Sequence, residues 1–334
     1  MIGSLVLVVV FAGIAWWAWE NAHRKTHPVA PGHQPDIQLP HEEEFELYHN
    51  ALSLCSKKAR VCLAELGLPY KSHPIDLIET GSYENISRHF LAVNPAGTVP
   101  VLVHDGHPIY ESHEQIRYAA DHAPATSPSL VPDDPELRAE MQTWVDCSSL
   151  TGDPIAESDK SAGNAVPGLT LPLFSSMITE IPYAKILEGL LFHIDRRRPL
   201  MFLAFKARGL DRLASLGSLM KINARARRHM HEHLDRLEAQ LVKRAGAWIL
   251  GDLYSLADVS WMVIFDRLVE ADALHVFLGD GKRPAVSAYW ERLQKRPSFA
   301  DAIEGHRHPT VARGTARLRE RKHAIPALRA ALED

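Results

Sequence analysis

Residues 94–102 have the types and spacing of a ligand-binding turn. They read Asn-Pro-Ala-Gly-Thr-Val-Pro-Val-Leu, and residues 101–103 are predicted to form a short buried strand. Pro100, directly before that strand, removes a ladder donor and restricts the approach of the chain, which predicts a turn. A cis bond there costs only about 0.5–1 kcal/mol relative to trans. In such a turn Val99 would present its own N–H and C=O outward, ready to pair with a peptide-like ligand.

Two polar residues stand at the start of the next predicted helix. Glu111 and Ser112 directly follow a predicted strand at residues 108–110. The unpaired N–H groups of a helix start can hold a carboxylate. With Val99, they predict a site for a peptide-like ligand that carries a carboxylate. The alternative is structural: an ordinary hairpin and a capped helix, with Glu111 as a solvated charge.

The elements that must position these residues follow the pattern of a compact α/β domain. Hydrophobic periodicity and turn residues predict strand 45–49, helix 56–66 ending at Gly67, strand 70–77, helix 83–92, a hairpin of 99–103 and 108–110, and helix 112–122. The order βαβαββα is the thioredoxin-like arrangement. A linker rich in Pro and Ser at residues 123–134 leads to a helix-rich remainder that begins at residues 135–149.

A second motif lies far downstream, in residues 251–259. Ser255 is predicted to cap the N–H of Asp258, and Asp258 to reach back to the N–H of Ser255. Tyr254 can pack on Val259, which completes a capping box with a hydrophobic staple. Such a box is structural by itself, and its value lies in its position behind a thioredoxin-like half.

Over residues 45–306 the chain resembles the cytosolic-type glutathione S-transferases. Three motifs carry this resemblance and occur in the family's order: the Asn-Pro-x-Gly-x-Val-Pro-x-Leu run, the Glu-Ser pair and the Ser-Leu-Ala-Asp box. The resemblance implies an α/β thioredoxin-like N-terminal domain at residues 43–123. It also implies an all-α glutathione-transferase C-terminal domain at residues 134–306, and a helical tail is expected at residues 307–334.

Within the family, the chain looks most like the branch of ganglioside-induced differentiation-associated protein 1. The matching positions are residues 48–49, 53–60, 281–284, 289, 291–292 and 295–296. That branch carries a long insertion between two helices of its all-α domain, and residues 152–220 fit that place. The branch has its membrane segment at the C-terminus, whereas the apolar segment of this chain is N-terminal.

The resemblance implies that the first domain binds glutathione as a co-substrate. The family's activating hydroxyl or thiol lies just after the first strand, and Ser53 matches that place. A hydroxyl that donates to the glutathione sulfur, near the helix that starts at Ser56, favours the nucleophilic thiolate. Cys55 is the competing reactive group and would indicate thiol exchange through mixed disulfides. The structural alternative is that Ser53 and Ser56 only cap the helix.

The resemblance also assigns the other glutathione contacts, which include Ser56, Asn85, Thr98 and Pro100. Val99, before Pro100, would pair its backbone with the cysteinyl part, while Glu111 and Ser112 would hold the γ-glutamyl end. Many relatives have Lys or Gln before the Val-Pro pair to hold the glycine carboxylate, where this chain has Thr98. The residues that could hold the glycine carboxylate instead are Lys57, Lys58 and Asn85.

Two parts of the chain are candidates for the electrophile site. In the family it is walled by the all-α domain, so the helix with Met141, Trp144 and Val145 and the insertion are candidates. Apolar residues at helical spacing more often form core, however. Residues 186–205 mix apolar runs with three arginines, which fits a helix on a membrane surface or a cover over the active site. A plain helical hairpin packed on the domain fits as well.

Residues 1–22 are predicted to form one transmembrane helix that anchors the chain. The first 19 residues carry no charged side chain, tryptophans collect at positions 16–19, and Arg24 and Lys25 follow. This charge pattern places the N-terminus outside and the soluble domain in the cytoplasm. A cleaved signal peptide is the alternative, but the segment has neither its basic start nor its small-residue end. The proline-containing residues 23–42 are predicted to be an extended linker outside the fold.

Composition narrows the classes of function. A formal charge of −4 without a dominant basic face argues against nucleic acid as a partner, and three separate cysteines argue against a disulfide framework. His229, His231 and His233 lie on a predicted helix without a carboxylate or Cys to complete a ligand set, so no metal site is expected. The Arg-rich residues 313–322 are expected to form a solvated or membrane-facing helix.

The sequence therefore predicts a membrane-anchored enzyme, similar to a glutathione S-transferase, that activates the glutathione thiol for attack on a hydrophobic electrophile. A homodimer is expected. Two alternatives stay open: a non-catalytic membrane protein that binds glutathione or another partner, and glutathione-dependent thiol exchange through Cys55.

Overall fold

The computed structural model describes residues 2–193 and 195–334, and it describes side chains from residue 5 onward. Its strands are β1 (Gly32–His33), β2 (Phe45–His49), β3 (Lys71–Pro74), β4 (Val101–His104) and β5 (His107–Tyr110). They form one sheet in the order β1-β5-β4-β2-β3. β2 and β3 run parallel, whereas β4 is antiparallel to both β2 and β5. This is the predicted thioredoxin-like sheet with an additional strand at one edge.

The helices are distributed in three groups along the chain. One long helix, α1 (Ile2–His23), precedes the sheet. The helices that accompany the sheet are α2 (Leu54–Leu66), α3 (Arg88–Val93) and α4 (Ser112–Asp121). The all-helical part contains α5 (Pro135–Ser148), α6 (Ala162–Met177), α7 (Tyr183–Phe192), α8 (Arg197–Arg208), α9 (Gly217–Arg244), α10 (Leu256–Glu270), α11 (Leu274–Leu278), α12 (Pro284–Gln294), α13 (Pro297–Ala302), α14 (Pro309–Ala324) and α15 (Pro326–Glu333). The predicted order of an α/β unit followed by an all-helical unit is confirmed.

Helix α2 begins and ends at local sequence signals. Ser53 is its N-cap, and the Ser53 side chain accepts a hydrogen bond from the backbone N–H of Ser56. Gly67 ends the helix with a φ of 65°, a conformation that glycine adopts without a Cβ penalty. The helix therefore starts two residues earlier than predicted, which brings Cys55 into its first turn.

The predicted helix 83–92 is shorter in the structure. A single 3₁₀ turn occupies Glu84–Ile86, and α3 starts only after Ser87. Ser87 has extended backbone angles (φ −69°, ψ 151°), and its side chain accepts from the N–H of Phe90. The serine acts as a cap, so it separates two short helical pieces instead of continuing one helix.

Residues 23–42 are part of the fold, which corrects the prediction of a linker outside it. β1 pairs antiparallel with β5 and adds a strand to the sheet. The N–H of His27 donates to the carbonyl of Pro95 (2.8 Å), and the N–H of buried Leu39 donates to the carbonyl of Gly106 (2.8 Å). Prolines are compatible with an edge strand, and the open edge of β5 needs a partner, so this segment docks despite its composition.

The predicted insertion 152–220 contributes to the core of the helical unit. α6 packs against α9, α10 and α14. α10 is buried around most of its circumference and lies at the centre of the unit. Its N-terminus carries the capping box: Asp258 accepts from the N–H of Ser255 (2.8 Å) and from the hydroxyl of Tyr289 (2.8 Å). The peripheral part of the insertion is therefore the pair α7 and α8.

The C-terminal tail packs one face of α14 on the protein, while the basic face stays solvated as expected: the side chains of Arg313 and Arg319 are 55% and 56% exposed. Leu318 of α14 is fully buried. Arg313 and Arg317 each pair with Glu180 at 2.7 Å, and the nearly buried Lys322 pairs with Asp272 at 2.7 Å. The basic residues that suggested an exposed face thus have acidic partners from distant parts of the chain.

Helix α1 is apolar and exposed. Within the described residues, Leu5–His23 is the one segment long and apolar enough to cross a membrane, by the criteria of length and composition. Its large side chains, such as Leu5, Phe11 and Ile14, are more than half exposed.

Candidate active site

Ser53 ends a loop that is held in place by the buried side chain of Asn50. The Asn50 Oδ1 atom accepts from the N–H groups of Leu52 (2.9 Å) and Ser53 (3.1 Å). The Asn50 Nδ2 atom donates to the carbonyl of Ile75 (2.9 Å), next to β3. Because the amide is almost fully buried, these bonds do not compete with water. The loop before Ser53 is therefore preorganised.

The helical unit holds the same loop from the other side. Arg267 of α10 donates to the carbonyl of Leu52 and to the carboxylate of Glu270 (2.9 Å). Lys57 of α2 pairs with Asp266 at 2.5 Å and with Glu270 at 2.6 Å. All four charged side chains are nearly fully buried. A buried ion network thus joins the two units directly beneath the Ser53 loop.

The hydroxyl of Ser53 faces the turn that precedes β4. Its Oγ atom donates to the carbonyl of Val99 at 3.4 Å, and the Val99–Pro100 peptide bond is cis. The carbonyl of Pro100 accepts from the Nε2 atom of buried Gln115 (2.9 Å), which ties the turn to α4. In the described part of the chain, the N–H of Val99 donates to no protein acceptor. The turn therefore offers a free backbone donor beside a hydroxyl group.

Glu111 has an unusual backbone conformation directly before α4. Its φ is 68° and its ψ is 122°, a sparsely populated region for a residue other than glycine. Such conformations cost about 1–3 kcal/mol and concentrate at functional sites. The Glu111 side chain is exposed, and the N–H of mostly buried Ser112 donates to no acceptor among the described residues. This corner presents a carboxylate and a free helix-start donor.

Thr98 lies on the loop before the cis turn, whereas Asn85 lies in the 3₁₀ turn before α3. Thr98 is exposed, and its carbonyl accepts from the Nδ2 atom of buried Asn94 (2.7 Å). The Nδ2 atom of Asn85 donates to the carbonyl of Gly97 (2.9 Å). The Asn85 amide is thus committed to the loop, which supports a structural role and not the predicted contact with the glycine carboxylate.

Three further predicted contacts are buried away from open space. Ser56 is fully buried, and its hydroxyl accepts from the N–H of Asn50 (3.1 Å). Lys57 is bound in the ion network, and Lys58 is buried with its ammonium group 3.2 Å from the Ser149 hydroxyl. Burial lowers the pKa of Lys58. We therefore assign Ser56 to support of the loop, and neither lysine can take the place of the residue missing at Thr98.

Cys55 is the accessible cysteine. It is half-buried in the first turn of α2, whereas Cys62 and Cys147 are buried. Burial raises the pKa of both buried thiols, which keeps them protonated and unreactive. Any thiol chemistry of this chain therefore depends on Cys55.

The candidate electrophile contacts on α5 belong to the core. Met141, Trp144 and Val145 are all buried in the main hydrophobic cluster. The two apolar neighbours of Ser53 belong to different clusters. Leu54 is buried in the cluster that contains α5, whereas Leu52 is buried in a separate cluster with Ile186 and Phe192 of α7. The insertion therefore contributes to the apolar surroundings of the Ser53 loop.

The histidines of α9 have separate partners. The Nδ1 atom of His229 lies 2.8 Å from the Ser158 hydroxyl, and the Nδ1 atom of His231 lies 3.2 Å from the guanidinium of Arg283. His233 is buried near the carbonyl of Ser158. These contacts favour the structural interpretation of the three histidines.

Asn50 and Arg267 are the two site residues that sequence reasoning missed. Asn50 directly follows β2 and precedes the capped helix, a position where an Asn side chain often organises a turn. Arg267 stands with Asp266 and Glu270 in a helix that is largely apolar and buried. Charged residues in such a helix indicate buried partners, because an unpaired charge is too costly to bury.

Comparison with known proteins gives two matching family profiles. Residues 52–122 match "Glutathione S-transferase, N-terminal domain", and residues 221–292 match "Glutathione S-transferase, C-terminal domain". The first contains Ser53, the cis turn and Glu111, and the second contains the capping box and Arg267. The segment that carries α6, α7 and α8 lies between the two matches.

Individual relatives cover most of the chain at low identity. Glutathione S-transferase F9 of Arabidopsis thaliana is 26% identical over 76% of this chain and 94% of its own length. Tetrachloro-p-hydroquinone reductive dehalogenase of Sphingobium chlorophenolicum is 25% identical over 78% of this chain and 95% of its own. The crystal structure of the β-etherase LigF from Sphingobium sp. strain SYK-6 shares the fold, with a TM-score of 0.63 and 23% identity over 79% of this chain and 100% of that chain.

Proposed function

We propose that this chain is a glutathione-dependent enzyme of the glutathione S-transferase type that activates the glutathione thiol with Ser53, as its matches to both domains of that family support. The observation that carries this proposal is the approach of the Ser53 hydroxyl to the Val99 backbone at 3.4 Å. A thiol peptide that pairs its backbone with Val99 would hold its sulfur beside this hydroxyl.

Ser53 would act by stabilising the thiolate form. Its O–H donates to the Val99 carbonyl in the free protein and would donate to the sulfur anion in the complex. The N-terminus of α2 adds a favourable dipole at the same place. The thiolate then attacks an electrophilic carbon, a C–S bond forms, and the leaving group departs with the electrons of the bond it breaks. Holding both reactants together supplies much of the rate.

The ends of glutathione would be held unequally. The free N–H of Ser112 and the carboxylate of Glu111 fit the carboxylate and the amino group of a γ-glutamyl end. Thr98 gives the glycine carboxylate no charged partner, and Lys57 and Lys58 are buried. We therefore propose weak binding of glutathione, with most of the affinity at the γ-glutamyl end and the cysteinyl backbone.

The second substrate would be a hydrophobic electrophile. Leu52 beside Ser53 shares a buried apolar cluster with α7, which supports an apolar environment for the reacting carbon. Relatives include a reductive dehalogenase and, by fold, a β-etherase, so displacement of a leaving group falls within the proposed chemistry.

Three finer proposals concern the setting of the enzyme. We propose that α1 spans a membrane, with the N-terminus outside and the folded units in the cytoplasm; its exposure and the following Arg24 and Lys25 support this. We propose a homodimer, because the family forms them. Membership of the branch of ganglioside-induced differentiation-associated protein 1 is supported by the long segment between the two matched domains.

The second candidate function is thiol exchange through Cys55, which is favoured because this cysteine is partly accessible, unlike the other two. One experiment separates the two functions. The detergent-solubilised full chain is applied to immobilised glutathione and assayed for conjugation with a panel of aromatic and halogenated electrophiles. Ser53→Ala and Cys55→Ala are compared.

Retention on the glutathione resin with turnover that is lost in Ser53→Ala supports the proposed enzyme. Loss of turnover only in Cys55→Ala assigns the chemistry to thiol exchange. If the unmodified chain shows no retention on the resin and no turnover, the proposed enzyme activity is overturned and the non-catalytic alternative remains.

A further inference from the structure

Helix α7 exposes a row of large apolar side chains. Tyr183, Leu187 and Leu191 follow one another at intervals of four residues and are 51%, 50% and 47% exposed. This spacing places them along one side of the helix. Leu200 of the adjacent α8 is 54% exposed. We call these four residues the apolar stripe.

The apolar stripe lies where α1 joins the fold. The ring of Trp16 in α1 stands 5.9 Å from that of Phe192, the residue after Leu191. Arg24, just after α1, pairs with Glu188 of α7 at 2.8 Å, and its guanidinium lies 4.5 Å from the Phe192 ring centre. α7 is therefore seated against the last turns of the apolar helix, and the stripe continues the exposed apolar surface of α1.

α7 and α8 are also fixed to the α/β unit. A Cβ atom at Gly189 would overlap the hydroxyl of Tyr83, so only glycine permits this close approach. Arg198 of α8 pairs with the buried carboxylate of Glu79. The stripe is thus held at a defined place on the protein surface.

The charge of this region is strongly positive, unlike that of the whole chain. Residues 183–208 contain six Lys or Arg and two Asp or Glu, in a chain with a formal charge of −4. Arg196, Arg197 and Arg208 are exposed, and the ammonium group of Lys206 lies 5.2 Å from the ring centre of Tyr183. Apolar side chains flanked by basic ones are the combination that binds an anionic lipid surface.

We propose that the apolar stripe docks α7 and α8 into the interfacial layer of an anionic bilayer, at the foot of the α1 anchor. This inference rests on the proposed membrane insertion of α1. A second copy of the chain fits the stripe less well, since two copies would bring like charges together.

Docking has a consequence for the choice of substrate. Ile186 and Phe192, on the inner side of the same helix, share a cluster with Leu52 next to Ser53. The apolar cluster that contains Leu52 therefore extends to the helix that docks, which suits an electrophile that partitions into the bilayer.

The test is a measurement of membrane depth with spin labels on the full chain. In a Cys55→Ser background, single labels are placed at L187C, at V10C in α1 and at V242C. Cys62 and Cys147 are buried and stay unlabelled. Val242 is the matched control because it is an exposed aliphatic residue (64%) on α9, outside the stripe. The protein is reconstituted in phosphatidylcholine vesicles with or without phosphatidylserine, and relaxation by oxygen is compared with relaxation by a water-soluble nickel chelate.

We expect the ratio of oxygen to nickel accessibility at L187C to exceed that at V242C several-fold, and to fall when phosphatidylserine is left out. If the label at V10C is exposed to lipid and the label at L187C is exposed to water, the docking of the apolar stripe is overturned and the membrane insertion of α1 stands. Water exposure at V10C overturns the anchor, and the docking with it. The label at L187C could also be shielded from both reagents, with spin–spin broadening and a doubled mass in detergent. That result would assign the apolar stripe to contact with a second copy of the chain, and it would overturn the proposal.

Discussion

The Oγ atom of Ser53 lies 3.4 Å from the carbonyl oxygen of Val99, although 46 residues separate the two in the chain. The same hydroxyl accepts from the N–H of Ser56 and so caps α2. Ser53 therefore has a structural bond and a second bond that points into the proposed thiol site. The two roles can be separated by experiment.

Ser53→Ala is expected to reduce kcat for conjugation by about 10²-fold, the usual effect of losing one donor to a developing or stabilised anion. The pKa of bound glutathione should rise, seen as a displaced pH profile of kcat/KM. Loss of the cap should cost about 1 kcal/mol of unfolding free energy.

Ser87→Ala is the matched control, because Ser87 caps α3 with a similar bond of 3.2 Å to the N–H of Phe90. It should lose comparable stability and keep its activity and pH profile. Equal loss of activity in both variants would mean that Ser53 acts only as a cap.

Thr98→Lys is expected to lower the KM for glutathione by up to about fivefold, because an exposed ion pair with the glycine carboxylate is worth up to about 1 kcal/mol. The position is exposed, so the longer side chain has room. The measurement is steady-state kinetics at varied glutathione, with Thr98→Ala as the control for loss of the hydroxyl. If the KM for glutathione is the same in Thr98→Lys as in the unmodified chain, and does not change with added salt, the glycine carboxylate does not bind near residue 98.

Lys57→Met is expected to destabilise the fold by about 3–5 kcal/mol, because Asp266 and Glu270 lose a buried cation. Unfolding in urea, followed by circular dichroism, measures the change. Lys160→Met is the matched control: its pair with Glu157 is largely exposed to solvent, so little change in the free energy of unfolding is expected. Similar effects in the two variants would show that the buried network does not hold the units together.

His49 makes stability depend on pH. Burial, and then the charge of Arg60, lower the pKa of His49 from 6.5 to about 3. Arg60 lies 3.1 Å from the Nδ1 atom, which must therefore accept, and the Nε2 atom lies 2.7 Å from the Ser72 hydroxyl. Between pH 6.5 and 3 the unfolded chain binds a proton that the folded chain does not, so this residue makes stability fall as the pH falls.

His49→Gln should remove this contribution, which amounts to about 1.4 kcal/mol per pH unit within that window. Urea unfolding at several pH values measures it as the difference between variant and unmodified chain. Ser72→Ala removes a hydrogen bond but keeps the imidazole, so its difference from the unmodified chain should vary little with pH. If the difference in unfolding free energy between His49→Gln and the unmodified chain is the same at every pH, His49 is not the source of this pH dependence.

Local signals explain why much of the fold could be predicted. The cap at Ser53, the glycine at Gly67 and the capping box at Ser255 each act within a few residues, and the structure contains all three. The helix predicted at residues 83–92 shows the limit of such signals, because Ser87 is compatible with a helix interior by pattern and acts as a cap in the structure. Arg267 was missed because its partner Leu52 lies in the other unit, and Asn50 because the bond from its Nδ2 atom to Ile75, which fixes the loop on β3, joins residues far apart in the sequence.

The sequence by itself determined the thioredoxin-like order of elements, the helical unit behind it and the turn at Val99–Pro100, since periodicity, caps and proline act locally. Only the tertiary structure decided which polar residues are free to act. It buried Ser56, Lys57 and Lys58, added β1 to the sheet, and buried Lys322 of the basic tail against Asp272. These outcomes depend on contacts between residues far apart in the chain, where burial makes pairing obligatory, and no local pattern encodes them.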